Sequence, residues 1–372
     1  MKAKYILILT SLLCLYEISF SQHSNNLSYT ISFGEAYVIP TNDFIKGVNV
    51  DSTKVTNQWS INLKVDKTLN GEKSWHHLYN DLRYGLGLYY GHFNYSKNVN
   101  NPFALYAYMG FSPLKYKRFE LKNDVALGIS GVWDVYSKKN YYNEVVSDKF
   151  EAYIHWHMDA YYNLSSSSQI SLGIGATHFS NGATKKPNRG FNIVGAQIGY
   201  TYKPHTIKLI EPLDTLSYDK RSHLLFNLYY ARHAVFVDYR IQASYAVAGF
   251  QTRFMKHLSY KYNLGVGADI CFNNAVGKNV LAYYEENLPQ MSTWERTSIS
   301  SFLAFAYNIH DLSVILEPSI YLHKAQKAYF SRFYQRIGLK YTLMNHYILQ
   351  MALRAYNFTK ADFIELGVGY QI

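Results

Sequence analysis

Apolar and polar residues alternate with period two in segment after segment of this 372-residue chain, and that pattern leaves few folds open. Strand side chains point to opposite faces in turn. Leu172, Ile174, Ala176, His178 and Ser180 therefore share one face, opposite Ser171, Gly173, Gly175 and Thr177. Further on, Asn192, Val194, Ala196, Ile198 and Tyr200 share a face, opposite Ile193, Gly195, Gln197 and Gly199. In a soluble protein the apolar face would be a core, whereas in a transmembrane barrel it meets lipid. Composition favours lipid. Past the first 21 residues no stretch approaches the ~18 consecutive apolar residues of a membrane helix. The chain nevertheless carries 37 tyrosines and 21 phenylalanines, the raw material of the aromatic girdles at both interfaces of an outer-membrane barrel.

Taken in order, strand-like segments run over Tyr29 to Val38, Ser60 to Asp66, Arg83 to Phe93, Ala104 to Leu114, Glu120 to Tyr136 and Phe150 to Tyr162. The two strands flanking Asn181 to Gly190 complete eight, ending near Tyr202. A polar connector, Lys203 to Lys220, follows. Alternation resumes over Leu224 to Tyr230, Tyr239 to Phe254 and Asn263 to Cys271, continues over Ser298 to Asn308, Leu312 to Leu322, Tyr334 to Leu343 and Tyr347 to Tyr356, and closes with Ala361 to Ile372. The expected fold is all-β, a transmembrane antiparallel β-barrel of the outer membrane with roughly 12 to 16 strands, even in number. The expected divisions are 1–21, a signal peptide; 22–203, an eight-strand segment; and 204–372, strands that complete the barrel or form a second one.

The N-terminal reading rests on Lys2 and Lys4, the apolar run Tyr5 to Tyr16, and the small residues at Ser19-Phe20-Ser21. Cleavage before Gln22 leaves Cys271 as the sole cysteine and so no intramolecular disulfide. The formal charge of +11 comes without any lysine- or arginine-rich run or nucleic-acid motif. It reads as lumen and rim charge facing an anionic leaflet, with no nucleic-acid partner. The Gly-x-Gly pairs (Gly85/Gly87, Gly173/Gly175, Gly265/Gly267, Gly367/Gly369) lack the third glycine and helix of a dinucleotide loop, so they read as small residues in a crowded lumen. His155, His157 and Asp159 share a lumen face, and lumen polarity explains them without a metal. With both termini periplasmic, the turn at Ser165 to Ser168 falls inside and the loop Asn181 to Gly190 falls outside, which sets His178 and Ser180 near the outer leaflet.

The stretch His178-Phe179-Ser180-Asn181-Gly182, four residues, then Pro187-Asn188-Arg189-Gly190 resembles the motif of the outer-membrane lipid A 3-O-deacylases, the PagL family. An eight-stranded barrel with the motif between its seventh and eighth strands corresponds to Tyr29 to Tyr202. Trp75 to Gly87 and Lys360-Ala361-Asp362 resemble the larger Bacteroidetes relatives often called acyloxyacyl hydrolases. The resemblance implies that Ser180 is the nucleophile and His178 its general base, since a serine hydroxyl attacks an ester well only when a base takes its proton. It implies an oxyanion role for Asn188, a place near the site for Asn181, and turning roles for Gly182 and Gly190. Lys185, Lys186 and Arg189 are candidates to hold lipid A phosphates. Compact members of the family place a glutamate two residues after the motif's last glycine. Here that position is Asn192, whose carbonyl oxygen is able to orient the histidine as asparagine does in Cys-His-Asn proteases.

Two functions follow. The first is a serine esterase, free of metal and cofactor, that takes lipid A or lipopolysaccharide laterally from the outer membrane. The second is a non-catalytic barrel, either a channel or a lipid-binding protein. Homodimer formation is left open by the sequence.

Overall fold

The computed structural model describes residues 26–205, 210, 220–237, 242–278, 291–324, 332–358 and 360–372. The signal-peptide expectation and most of the polar connector lie outside the described residues. Sixteen strands appear among them: β1 Leu27–Val38, β2 Asn57–Thr68, β3 Arg83–Phe93, β4 Phe103–Tyr116, β5 Phe119–Gly131, β6 Glu151–Asn163, β7 Ser168–Ser180 and β8 Phe191–Tyr202, then β9 Ser222–Phe236, β10 Gln242–His257, β11 Tyr262–Asn273, β12 Thr297–Ile309, β13 Leu312–His323, β14 Phe333–Leu343, β15 Tyr347–Tyr356 and β16 Lys360–Gln371. They form two closed antiparallel barrels rather than one large one. Strands β1 to β8 close by pairing β1 with β8, and β9 to β16 close by pairing β16 with β9. Closure leaves no strand edge with unpaired backbone groups, which is what hydrocarbon demands. Among the described residues no helix is long and apolar enough to cross a membrane.

Both barrels are polar inside and apolar outside. In the first, Leu172 is 65% exposed and Ile198 61%, while Lys64, Arg83, Asp124 and His157 are buried within. Asp124 is paired with Arg83 and, at 3.3 Å, with Lys64. His157 bridges Asp159 at 2.5 Å and Asp124 at 3.2 Å. His155 bonds Thr177 at 2.8 Å, and no group of three or more His, Cys, Asp or Glu able to hold a metal occurs among the described residues. In the second barrel Leu228 and Val368 stand outward. Arg336, fully buried, reaches Glu365 at 2.7 Å, Glu317 at 2.7 Å and Asp269 at 3.1 Å. Arg354 meets Asp269 and Glu365, and Arg253 meets Glu317. The charges named here are tolerated at this depth because each is paired and hydrogen-bonded.

The glycine pairs fill a steric role. A Cβ on Gly173 would run into the Asp159 carboxylate, one on Gly87 into the Tyr106 ring, and one on Gly267 into the Phe302 ring. Eight strands enclose a lumen that side chains fill, and these positions admit nothing larger than hydrogen.

Several strand boundaries differ from the alternation pattern: β2 begins at Asn57 rather than Ser60, and β9 runs to Phe236 rather than Tyr230. The fifth strand stops at Gly131 rather than Tyr136, because Val132 takes a left-handed φ of 69° and turns Trp133 inward, where its Nε1–H bonds Ser130. The tenth strand runs on to His257, paired with Asn263 of β11.

By internal contacts the chain forms two compact units. One comprises the described parts of Met1–Trp133, Ala152–Phe179 and Phe191–Thr215; the other comprises those of Asp134–Glu151, Ser180–Gly190 and Leu216–Ile372. The motif loop thus belongs to the unit that contains the second barrel.

Candidate active site

The site begins with an inward anchor. Phe179 and Phe191 face each other across β7 and β8, and both are buried. Phe191 stacks on Phe93, with ring centroids 4.6 Å apart, and on Trp133 at 5.9 Å. Phe179 meets Trp133 edge-on at 5.2 Å and Tyr153 at 5.5 Å. This aromatic plug fixes which way each strand end points. With Phe179 inward, His178 and Ser180 are turned to the outer face; with Phe191 inward, so is Asn192.

His178 and Asn192 are direct cross-strand partners, and His178 Nδ1 lies 2.8 Å from Asn192 Oδ1. With Asn192 Oδ1 accepting, Nδ1 carries the proton and Nε2 keeps its lone pair. Below this pair the outer faces of β7 and β8 continue as Ile174, Leu172 and Ile170 beside Val194, Ile198 and Tyr200, all exposed. An acyl chain would find a continuous greasy stripe leading to the imidazole.

The loop after Ser180 is held within its own compact unit. Asn181 is buried and turned inward: its Nδ2 donates to Ser147 Oγ at 3.0 Å and Glu151 Oε1 at 3.4 Å. Its backbone N–H donates to Asn188 Oδ1 at 3.3 Å. That bond occupies the Asn188 carbonyl and leaves the Nδ2 amide as the donor end. Asn181 therefore acts as a tie inside the protein, and Asn188 accepts from its backbone. The backbone N–H groups of Arg189 and Gly190 donate to the carbonyls of Glu144 and Val145, so residues 144–145 zip the loop down.

Gly182 and Gly190 take φ values of 61° and 67°, a region costly for residues with a Cβ. A Cβ on Gly182 would also lie 2.5 Å from Ile364 Cδ1. Gly182→Val is expected to leave both barrels folded but to loosen the loop, with trypsin cleavage at Arg189 accelerated about tenfold for each ~1.4 kcal/mol of strain. Unchanged cleavage would mean that the loop is not held through Gly182.

Lys186 donates its backbone N–H to Gln242 Oε1 at 2.5 Å. Burial pulls its ammonium below the usual lysine range, opposed by the nearby Asp362 carboxylate. Arg189 is shared with Glu144 at 3.7 Å. Gln242, Ile364 and Asp362 are residues that sequence reasoning missed as parts of the loop's support. They lie more than fifty positions from the motif, and only the Lys360-Ala361-Asp362 resemblance pointed near them.

Closed antiparallel barrels with ion-paired interiors and apolar outer faces define this protein as an integral outer-membrane β-barrel. Its sequence matches two family models: "Lipid A 3-O-deacylase (PagL)" over residues 59–201 and "Acyloxyacyl hydrolase, C-terminal domain" over residues 222–372. The chain belongs to the PagL lipid A deacylase family. A search of curated proteins gave no match. Solved structures similar to it include Neisserial surface protein A, at 9% identity over 48% of this chain and 97% of that one, with a TM-score of 0.33. The siderophore receptor PirA from Acinetobacter baumannii follows at 10% identity over 90% of this chain and 43% of that one, TM-score 0.23. A Rhodopseudomonas blastica porin mutant has 8% identity over 93% and 99%, TM-score 0.17.

Proposed function

We propose that this deacylase-family barrel is a serine esterase that removes an ester-linked acyl chain from lipid A, with Ser180 as nucleophile and His178 as general base. The observation that carries the reading is the His178–Asn192 hydrogen bond at the head of an apolar outer stripe. Asn192 sets the imidazole tautomer, and Nε2 takes the Ser180 hydroxyl proton as Oγ attacks the ester carbonyl. The Asn188 amide donates to the oxyanion that forms. Collapse breaks the bond between carbonyl carbon and sugar oxygen, and the sugar oxygen recovers the proton from Nε2. Water then repeats the sequence on the acyl-serine and releases the fatty acid. Of the three loop cations, Arg189 is shared with Glu144 and Lys186 lies near Asp362, so contact with a lipid A phosphate falls to Lys185. Substrate reaches the site from the lipid side and needs no pore. Eight-stranded barrels crossed by ion-paired side chains weigh against a water-filled channel.

Mass spectrometry of lipid A from a lipopolysaccharide-bearing host, with and without the protein, tests the reading. The expected result is a new species lighter by one acyl chain. An unaltered profile with the protein folded in the membrane would defeat it.

Asn192 supplies a second test. Hydrogen bonds to charged groups are worth about 1.5–3 kcal/mol against about 0.5–1.5 for neutral ones. Asn192→Asp, by stabilising the imidazolium, is expected to raise kcat roughly fivefold. Asn192→Ala is expected to lower it by about 10- to 100-fold. A fully active alanine variant would remove Asn192 from the mechanism.

A further inference from the structure

The second barrel contains a cavity of about 340 Å³ lined by inward residues near the β10–β11, β12–β13 and β14–β15 turns. It lies at the strand ends opposite to those that carry Gln242 and Ile364, so it is separate from the support of the motif loop. Its volume is on the scale of small-molecule pockets. Two cations line it. Lys340 is only 8% exposed and makes no hydrogen bond, ion pair or ring contact with any described residue. Arg253 is 3% exposed; its Nε bonds Glu317 and its Nη2 bonds Gln251 and Gln350, but its Nη1 has no partner. The acids nearby are already engaged. Glu317 spends one oxygen on Arg253 and the other on Arg336. Asp311 stands at the mouth against His310, at 2.9 Å and half exposed. A buried guanidinium nitrogen lacking an acceptor is costly unless something supplies it, and the Lys340 side chain lines the same cavity.

We infer that this cavity is a binding site for a small phosphate dianion, held between Lys340 and the open side of Arg253. A phosphate offers acceptors to both cations at once and matches guanidinium geometry. The source is a free phosphorylated solute or a phosphomonoester headgroup entering at the strand ends.

Calorimetric titration of the detergent-solubilised full chain tests this with two probes, inorganic phosphate and short-chain phosphatidic acid. Saturable one-site binding of either is expected, weakened at least tenfold in Lys340→Met and retained in Lys340→Arg. Binding of inorganic phosphate identifies the solute source, and binding of the lipid alone identifies the headgroup. Heat-modifiable gel mobility of Lys340→Met checks that its barrels are folded. Failure of both probes, or equal binding by wild type and folded Lys340→Met, would overturn the assignment. A channel or a lipid-binding barrel without esterase activity would leave this result unaffected.

Discussion

Cells expressing Ser180→Ala are expected to keep lipid A fully acylated while carrying as much folded barrel as wild type. As the proposed nucleophile, Ser180 has no substitute: no other hydroxyl shares the outer face of β7 with His178 at a spacing of two residues. Loss of a catalytic serine or its histidine in a hydrolase costs up to about 10⁶ in kcat, because the two act as one unit. His178→Ala should therefore be about as inactive as Ser180→Ala, and the double variant little worse than either. Neither change should unfold the protein, since both side chains point away from the aromatic plug of Phe179, Phe191, Trp133 and Phe93. Acyl loss that persists in folded Ser180→Ala would rule out Ser180 as nucleophile.

Arg336→Ala is expected to be the most destabilising single change in the second barrel. Arg336 is fully buried, and its guanidinium satisfies Glu317, Glu365 and Asp269 together. Removing it leaves three carboxylates to Arg253 and Arg354 in a site closed to water. Breaking such a buried network by deleting one partner costs about 3–5 kcal/mol. That is a large share of a domain's stability. The measurement is urea unfolding in detergent, with heat-modifiable mobility reporting the folded fraction. Arg336→Lys, which keeps the charge but loses the fork, should fall between the two. An unchanged unfolding midpoint for Arg336→Ala would show that the network contributes nothing to holding the barrel.

Much of this molecule was legible one residue at a time. Alternation located all sixteen strands, since a half-buried strand writes its two faces directly into the order of residues. The same parity placed His178, Ser180 and Asn192 on the outer side, and cross-strand register then set His178 opposite Asn192. Asn181 was harder. The family resemblance put it near the site, but parity turns it inward, where Ser147 and Glu151 hold it. The strand end at Gly131 was hidden because Val132 and Trp133 look like strand residues, and only the packing of Trp133 on the phenylalanine plug draws the chain aside.

The sequence by itself determined the class of fold, the outward stripe and the residues at its head, because period-two patterning and motif spacing are local properties of the chain. Tertiary structure alone decided that β8 turns back to β1 and β16 to β9. Closure is a choice of hydrogen-bonding partner between strands far apart in sequence, and no strand's own residues announce it. It also decided that loop 180–190 packs within the second unit against Gln242 and Ile364. Such contacts join distant residues whose individual patterns say only in or out, so their pairing exists nowhere but in the folded chain.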